Sequence, residues 1–492
     1  MSSERQNSTT LRAQMEDNVL NPVADEERQG GWSLLSNTAG VGTTLAMLLI
    51  GGSASYIVGV KWAIAMSVVS AVFGSVVGSL TGRVSQSTGM SSTVTTRFHG
   101  LGATGSALAS FVFAWMILSF LALENVLLYN GTLFMLGWAP TVANTIGIYG
   151  ALTVLWILLA LFGVKLVQKT SLILTLIAGA LMVVVGFLAF SRSDLGVGQV
   201  FAVQPEHVGP AEIMGVLATM VGMAGALALT GADFARYART SRDVRIMAVG
   251  GNVIVNFGVV SLGALLYQAG DTVVARFLED PANAGVAAAQ AGAGTAEKVR
   301  FLAETNAGAY FILLAGVVGF LVMYAAQVKA QVINVYAGSL SLTNLVDALL
   351  GRKVSRILMV LLGNAIALVA VWGGILGFLA QFLGALGIAT FSLAALVITD
   401  FYVLRRQQAA PTDRVERMNW AGLIAVAVGF GTSYLLLVTG VFVLGFVITL
   451  VLTPLVYVVL RRTVLPEGRG TTFVAGTAAL REVEVLDEVS AV

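Results

Sequence analysis

The sequence predicts an all-α polytopic membrane protein with twelve transmembrane helices, and three observations carry that prediction. Hydrophobic residues make up 57% of the chain and charged residues only 11%, against about a quarter charged in ordinary soluble domains. Stretches of about 20 apolar residues, the length that spans a bilayer, recur along the chain. Lys and Arg gather on alternate connections between those stretches, as the positive-inside rule requires. With 28 basic and 26 acidic residues over 492 positions, the chain cannot wet a globular surface that needs roughly 25–35% charge. Lipid is therefore its main partner. The absence of cysteine excludes disulfides, thiolate metal sites and cysteine nucleophiles, and a net charge of +2 carries no nucleic-acid signal.

Taken in order, residues 1–32 are polar up to Trp32 and hold no apolar core, so they read as a cytoplasmic tail rather than a secretory signal. Apolar spans follow near 35–58, 62–82, 105–130, 145–164, 170–190, 211–231, 246–268, 308–335, 356–375, 378–402, 419–437 and 439–460. With the N-terminus inside, 22 of the 28 bases fall on cytoplasmic segments and 5 outside. Both termini are then expected in the cytoplasm of a multi-pass cell-membrane protein. The longest outside connection, 269–307, has the composition of a short surface helix or a lid. Residues 463–492 read as a solvated cytoplasmic tail with an acidic end.

One base, Lys329, belongs to neither side. A lysine at the centre of a span costs about 2.5–3.5 kcal/mol even on the lenient insertion scale, so polar groups inside spans are the most informative residues. The eighth span places Gln327, Lys329, Gln331 and Asn334 within about two turns. If that helix ends near Val335, Lys329 sits roughly 10 Å inside the cytoplasmic face. Either it faces a cavity, or it reaches the interface or a helix-end carbonyl. In the third span, Glu124 lies about 28 Å from a start at Gly105, which places it near the outer rim. Water there solvates it, or it forms part of a proton path; a lasting ion pair with Lys329 is not expected. Gly51 and Gly52 in the first span offer a break that frees backbone carbonyls or a close helix contact. Gly222 and Gly225 in the sixth span offer packing or a ligand cavity. The two histidines, His99 and His207, fall in loops and cannot form a metal cluster. Neither a zinc-protease motif nor a phosphate loop occurs, so no metal site, no catalytic residue and no ATPase subunit is expected.

Asn21, Pro22 and Val23 followed by Asp25, Glu26, Glu27 and Arg28; the segment Thr88, Gly89, Met90 through Thr96, Arg97 and Phe98; and the loop with Asp233, Phe234, Arg236 and Tyr237 together resemble the nucleobase–cation symporter family, in its purine–cytosine permease branch. The resemblance runs from about residue 20 to 462. It implies a LeuT-like core of five plus five helices in inverted repeat at 33–402, two additional helices at 403–462, and discontinuous first and sixth helices around a mid-membrane site. Transport would be driven by a proton or sodium gradient without a cofactor. Arg97, Asp233, Arg236 and Tyr237 take structural or gating roles.

The family's clamp on a planar ring is incomplete in this sequence: Ile117 stands at the helix-three amide position, Phe120 at its aromatic, and Ala224 where the helix-six aromatic belongs. Loss of a ring removes stacking, and isoleucine cannot read a ring edge. Trp115, Gln327, Gln331 and Asn334 are the candidates to compensate, with Gly222 beside Ala224. In the family's cation site, the carbonyls from Thr43 to Met47 face Lys329 and Ala330 where hydroxyls are usual. An ammonium there repels sodium, and its titration reproduces a cation's on–off cycle. The resulting expectation is an importer of cytosine, a purine or a related nitrogen heterocycle, proton-coupled or sodium-independent. The alternatives are a sodium-coupled symporter of another small polar solute, or a passive facilitator.

Overall fold

Helix α1 (Gly31–Gly42) ends where Thr43 leaves helical geometry and Thr44 turns extended (φ −126°, ψ 167°), and α2 (Leu45–Thr88) starts directly after it. The computed structural model describes residues 22–351, 354–408 and 414–475. The tail before residue 22 and the acidic end after 475 lie outside the described residues. The break in the first span thus falls at Thr43–Thr44 and not at Gly51–Gly52. At those glycines the helix is continuous because they serve close packing: a Cβ on Gly51 would lie 1.8 Å from the Val260 carbonyl oxygen, and one on Gly52 would lie 2.1 Å from the Tyr267 ring. Helix α2 has 44 residues, about 66 Å of α-helix, far longer than a hydrocarbon core of about 30 Å. Gly59, at φ 79°, divides it, a conformation that glycine adopts without a Cβ clash.

The short α3 (Ser92–Phe98) leads into α4 (Ala107–Leu136), and α5 (Val142–Leu158) continues through a π-helical segment into α6 (Val164–Arg192). Helix α7 (Pro210–Ala235) starts on Pro210 and runs without a break, so the expected discontinuity in the sixth helix is absent. No positive-φ glycine or internal proline interrupts it, and its glycines are spent on helix contacts: Gly222 meets the Leu383 carbonyl, and Gly225 meets Thr390 and Phe391. Helix α8 (Ser241–Glu279) contains a π-helical stretch at Val253–Val259. Within 269–307 the described residues include α9 (Thr295–Thr305), an ordered surface helix.

Helix α10 (Ala307–Leu350) is broken at Gly316 (φ 59°) and extends well past Val335. Along its polar stretch Ser339, Ser341 and Thr343 turn their hydroxyls onto carbonyls three or four residues back, so these groups are satisfied within the helix. Lys329 therefore lies about 31 Å from the helix end, rather than roughly 10 Å. Helices α11 (Arg356–Trp372), α12 (Ile375–Leu404), α13 (Trp420–Val438) and α14 (Gly445–Thr463) complete the described set. Strand β1 (Arg414–Glu416) pairs antiparallel with β2 (Phe473–Ala475), so the start of the tail is tied down in a small ribbon that an all-α reading does not include.

Ten helices among the described residues are long and apolar enough to cross a membrane, and α11 is a shorter apolar one. They form two groups. Helices α1, α2, α7 and α8 pack on one another, while α4, α10 and α11 pack together, with α6 against α10. Helix α12 joins α7 to α14.

Candidate functional site

A cavity opens at the break in the first span. The break contributes Val41, Gly42, Thr44, Ala46 and Met47; α4 contributes Ile117, Phe120 and Glu124; α7 contributes Met223, Ala226, Leu227 and Thr230; and α10 contributes Asn334. The space between these walls, solvent included, is about 460 Å³. The spacings i, i+3, i+7 on α4 and i, i+3, i+4, i+7 on α7 put each set on one helix face. The cavity thus lies between the two helix groups.

Glu124 is 2% exposed, which overturns its placement at an outer rim. Helix α4 has 30 residues, about 45 Å, so its ends overrun the apolar core and residue 124 stays inside. Gln327 Nε2 donates to its carboxylate, and the Thr44 hydroxyl and Ala46 amide also bond to it. Ala46 is in the first turn of α2, where amides have no partner within the helix. The carboxylate therefore caps the second half of the broken helix from across the cavity.

Lys329 is equally buried, at 2% exposed, but two residues from Gln327 it points to another side of α10. Its Nζ donates to the Ser36 carbonyl of α1 at 2.7 Å and to the Thr175 hydroxyl of α6 at 3.3 Å. It thus joins α1, α6 and α10. Gly40 leaves room for it, since a Cβ there would lie 2.1 Å from Nζ. The Thr43 hydroxyl bonds back to the Ala39 carbonyl.

The remaining substrate candidates divide. Phe120, Met47 and Asn334 line the cavity. Asn334 donates to Gln331 Oε1 (3.2 Å), Gln331 donates to Asn125 Oδ1 (2.8 Å), and Trp156 Nε1 donates to the same oxygen (2.9 Å). Gln331 thereby belongs to a network that clamps α10 to α4 and α5. Trp115 packs edge-on against Phe382 of α12, which also meets Phe120. Gly222 faces Leu383 of α12, and Ala224 faces Gly74 of α2, so neither is among the cavity-lining residues. Met223 and Thr230 were not singled out from sequence; the regular spacing of Met223, Ala226, Leu227 and Thr230 was the available signal.

The basic end carries the other candidates. Arg97 is paired with Asp347 of α10 at 2.7 Å, Asp233 accepts from the Ser92 amide at 2.6 Å, and Arg236 stacks on Tyr237. Arg28 donates to the carbonyls of Gln86 and Ala238. A second cavity at this end is lined by Phe113 of α4, Leu229 and Ala232 of α7 and hydroxyls that include Thr81, Ser85, Ser92 and Thr96. It lies about one turn further along α4 and α7 than the first. His99, read as a loop residue, is fully buried with Nδ1 2.8 Å from Asp400 Oδ2.

A broken helix at a cavity between two helix groups, with buried polar groups on facing helices, defines a secondary transporter that works by alternating access. The chain belongs to the family of permeases for cytosine/purines, uracil, thiamine and allantoin, whose sequence model it matches over residues 22–458. No curated relative matches the sequence. Among solved structures, the chain is similar to the inward-facing conformation of Mhp1 (TM-score 0.71, 17% identity, 91% of this chain and 94% of that one). It is also similar to Mhp1, a nucleobase–cation symport transporter, in a closed conformation with bromovinylhydantoin bound (TM-score 0.66, 16% identity, 92% and 97%). A sodium-coupled sialic acid symporter in a substrate-bound outward-open state shares the fold (TM-score 0.57, 12% identity, 88% and 90%). The protein is thus a multi-pass membrane transporter of a small polar solute and not an enzyme.

Proposed function

We propose that the chain imports a small nitrogen heterocycle of the nucleobase kind, with the cavity at the Thr43–Thr44 break as its central site and Lys329 in place of a sodium ion. The observation that carries this reading is the lysine's position: its ammonium bonds the Ser36 carbonyl of α1, about two turns ahead of the break and not the Thr43–Met47 carbonyls expected from sequence, and there it holds α1 to α6 and α10 as a bound cation would. A fixed positive charge there opposes sodium entry. Loss and recovery of a proton would weaken and restore the charge-assisted part of the same tie, which supports coupling to a proton gradient. The hydroxyl-lined second cavity supports an inward route beneath the central site.

The arrangement fits twelve spans, because Gly59 divides α2 into two and the 17-residue α11 reaches about 26 Å, enough for a thin region of bilayer. In this reading α1 to α12 form the five-plus-five inverted repeat at 33–402, α13 and α14 follow at 403–462, and both termini are cytoplasmic.

The test is uptake of labelled cytosine, adenine, hypoxanthine and uracil into proteoliposomes in sodium-free medium. At least one base should accumulate, and a protonophore should abolish accumulation. Lys329→Ala and Lys329→Gln should lose uphill transport by more than tenfold. Strict sodium dependence of the wild type would favour the sodium-coupled alternative. Proton-driven accumulation at wild-type level in both variants would remove the lysine from the mechanism.

A further inference from the structure

The cavity's walls are mainly carbon: Met47, Ile117, Phe120, Met223 and Leu227 face it. Glu124 is the one charged side chain among its lining residues. In an apolar site a single carboxylate is the one group that can meet a positive charge on a bound heterocycle. Three donors converge on it, from Gln327, Thr44 and Ala46. An ionised carboxylate only accepts and so can take all three of these contacts. No Lys or Arg lies within ion-pair distance of Glu124 among the described residues. The start of α2 supplies a partial positive charge of about half a unit, which leaves the remainder of the charge uncompensated on a side chain that is 2% exposed. A buried carboxyl in that condition is neutralised either by a proton or by a cation that joins it, and a cationic ligand displaces the proton.

Resting on the reading of this cavity as the substrate site, we propose that Glu124 makes the transporter selective for a positively charged nitrogen compound, an amidinium or protonated heterocycle, whose N–H groups meet the carboxylate while its ring lies against Phe120. The chemistry favours an organic cation over a metal ion. Beside the oxygens of Thr44, Thr230, Asn334 and Glu124, the Phe120 ring face and two methionines suit the apolar body of an organic cation, which a metal ion lacks. Charge-assisted N–H···O bonds in such a site are about twice as strong as neutral ones. The contact also has a conformational consequence: a ligand on Glu124 touches the same carboxylate that caps α2, so binding and the position of the broken helix are linked through one group.

The test uses the full-length protein in nanodiscs and calorimetric titration with two probes of the same shape, benzamidinium and benzamide. The wild type should bind benzamidinium at least tenfold more tightly than benzamide, and Glu124→Gln should bring that ratio to about one. A carboxylate that only caps α2 predicts a lower melting temperature for Glu124→Gln with the probe ratio unchanged, and that result overturns the proposal. So does equal binding of the two probes by the wild type, or no binding of benzamidinium at millimolar concentration. Stabilisation of the wild type but not Glu124→Gln by sodium alone, with displacement of benzamidinium, assigns the carboxylate to an inorganic cation and equally overturns it. Ala226→Trp separates this proposal from the one beneath it. If the filled cavity still binds both probes, the assignment of the substrate site fails; if it binds neither while the wild type does not distinguish them, only the charge selectivity fails.

Discussion

Gly40 tests the role of Lys329 without touching the lysine itself. A methyl group there would meet Nζ at 2.1 Å and the Thr175 hydroxyl at 2.4 Å, both ends of side chains that can turn away. Gly40→Ala should therefore keep its fold, with a melting temperature close to wild type, and lose uphill uptake by more than tenfold as the ammonium leaves the Ser36 carbonyl. The Arg97–Asp347 pair makes a different prediction, since its two side chains are only 9% and 22% exposed. Removing one partner strands a partly buried charge, so the double substitution to alanine should be less damaging than the sum of the singles. A double-mutant cycle on stability should give a coupling of about 1–3 kcal/mol. Lys329 was legible in the sequence because a lone base in a span has few places to go. Glu124 was misplaced because distance along a helix was measured from an assumed interface, whereas α4 overruns the apolar layer at both ends.

At the scale of elements, the positions of the glycines separate helix contacts from helix breaks. Gly51→Ala places a methyl on the backbone oxygen of Val260, and Gly222→Ala does the same at Leu383. Backbone cannot turn aside, so each should lower stability by about 1–3 kcal/mol or more. Gly150→Ala, which meets nothing within 4 Å, should be neutral or slightly stabilising through helix propensity. Thermal unfolding of the three variants side by side would check the order. Sequence showed where the apolar helices are, because twenty apolar residues in a row have one solution in lipid. It did not show which small-residue motif breaks. A paired glycine and a paired threonine both permit non-helical backbone, and the choice depends on the neighbouring helix: Val260 and Tyr267 press on the glycines, while a cavity receives the threonines. The continuity of α7 has the same origin, since its glycines are used up against α12.

For the whole molecule, the cysteine-free sequence allows single cysteines to report sidedness. Arg276→Cys, at the end opposite the basic one, should react with an impermeant maleimide added to intact cells, and Arg406→Cys should react only after permeabilisation. The reverse pattern would invert the topology. The distribution of charge is what predicts this orientation, since connections of opposite sides differ in Lys and Arg content. Long-range pairings were not readable. Nothing along the chain indicates that residues 414–416 meet 473–475, or that His99 meets Asp400.

That last meeting bears on how the molecule can be divided. Asp400, near the end of α12, is 2% exposed and receives Tyr457 of α14 at 2.7 Å and Arg405 at 2.9 Å, besides His99. Asn419 in turn donates to the Tyr457 hydroxyl at 3.1 Å. A chain cut after residue 402 would strip Asp400 of two of its three partners and bare the face of α12 that α13 and α14 cover. Such a ten-helix fragment should fail to give a monodisperse peak in detergent, whereas a chain ending after 475 should not. The last two helices act as a keystone for α12, and a shorter ancestor or an engineered minimal carrier would need an apolar residue or a new donor where Asp400 now stands.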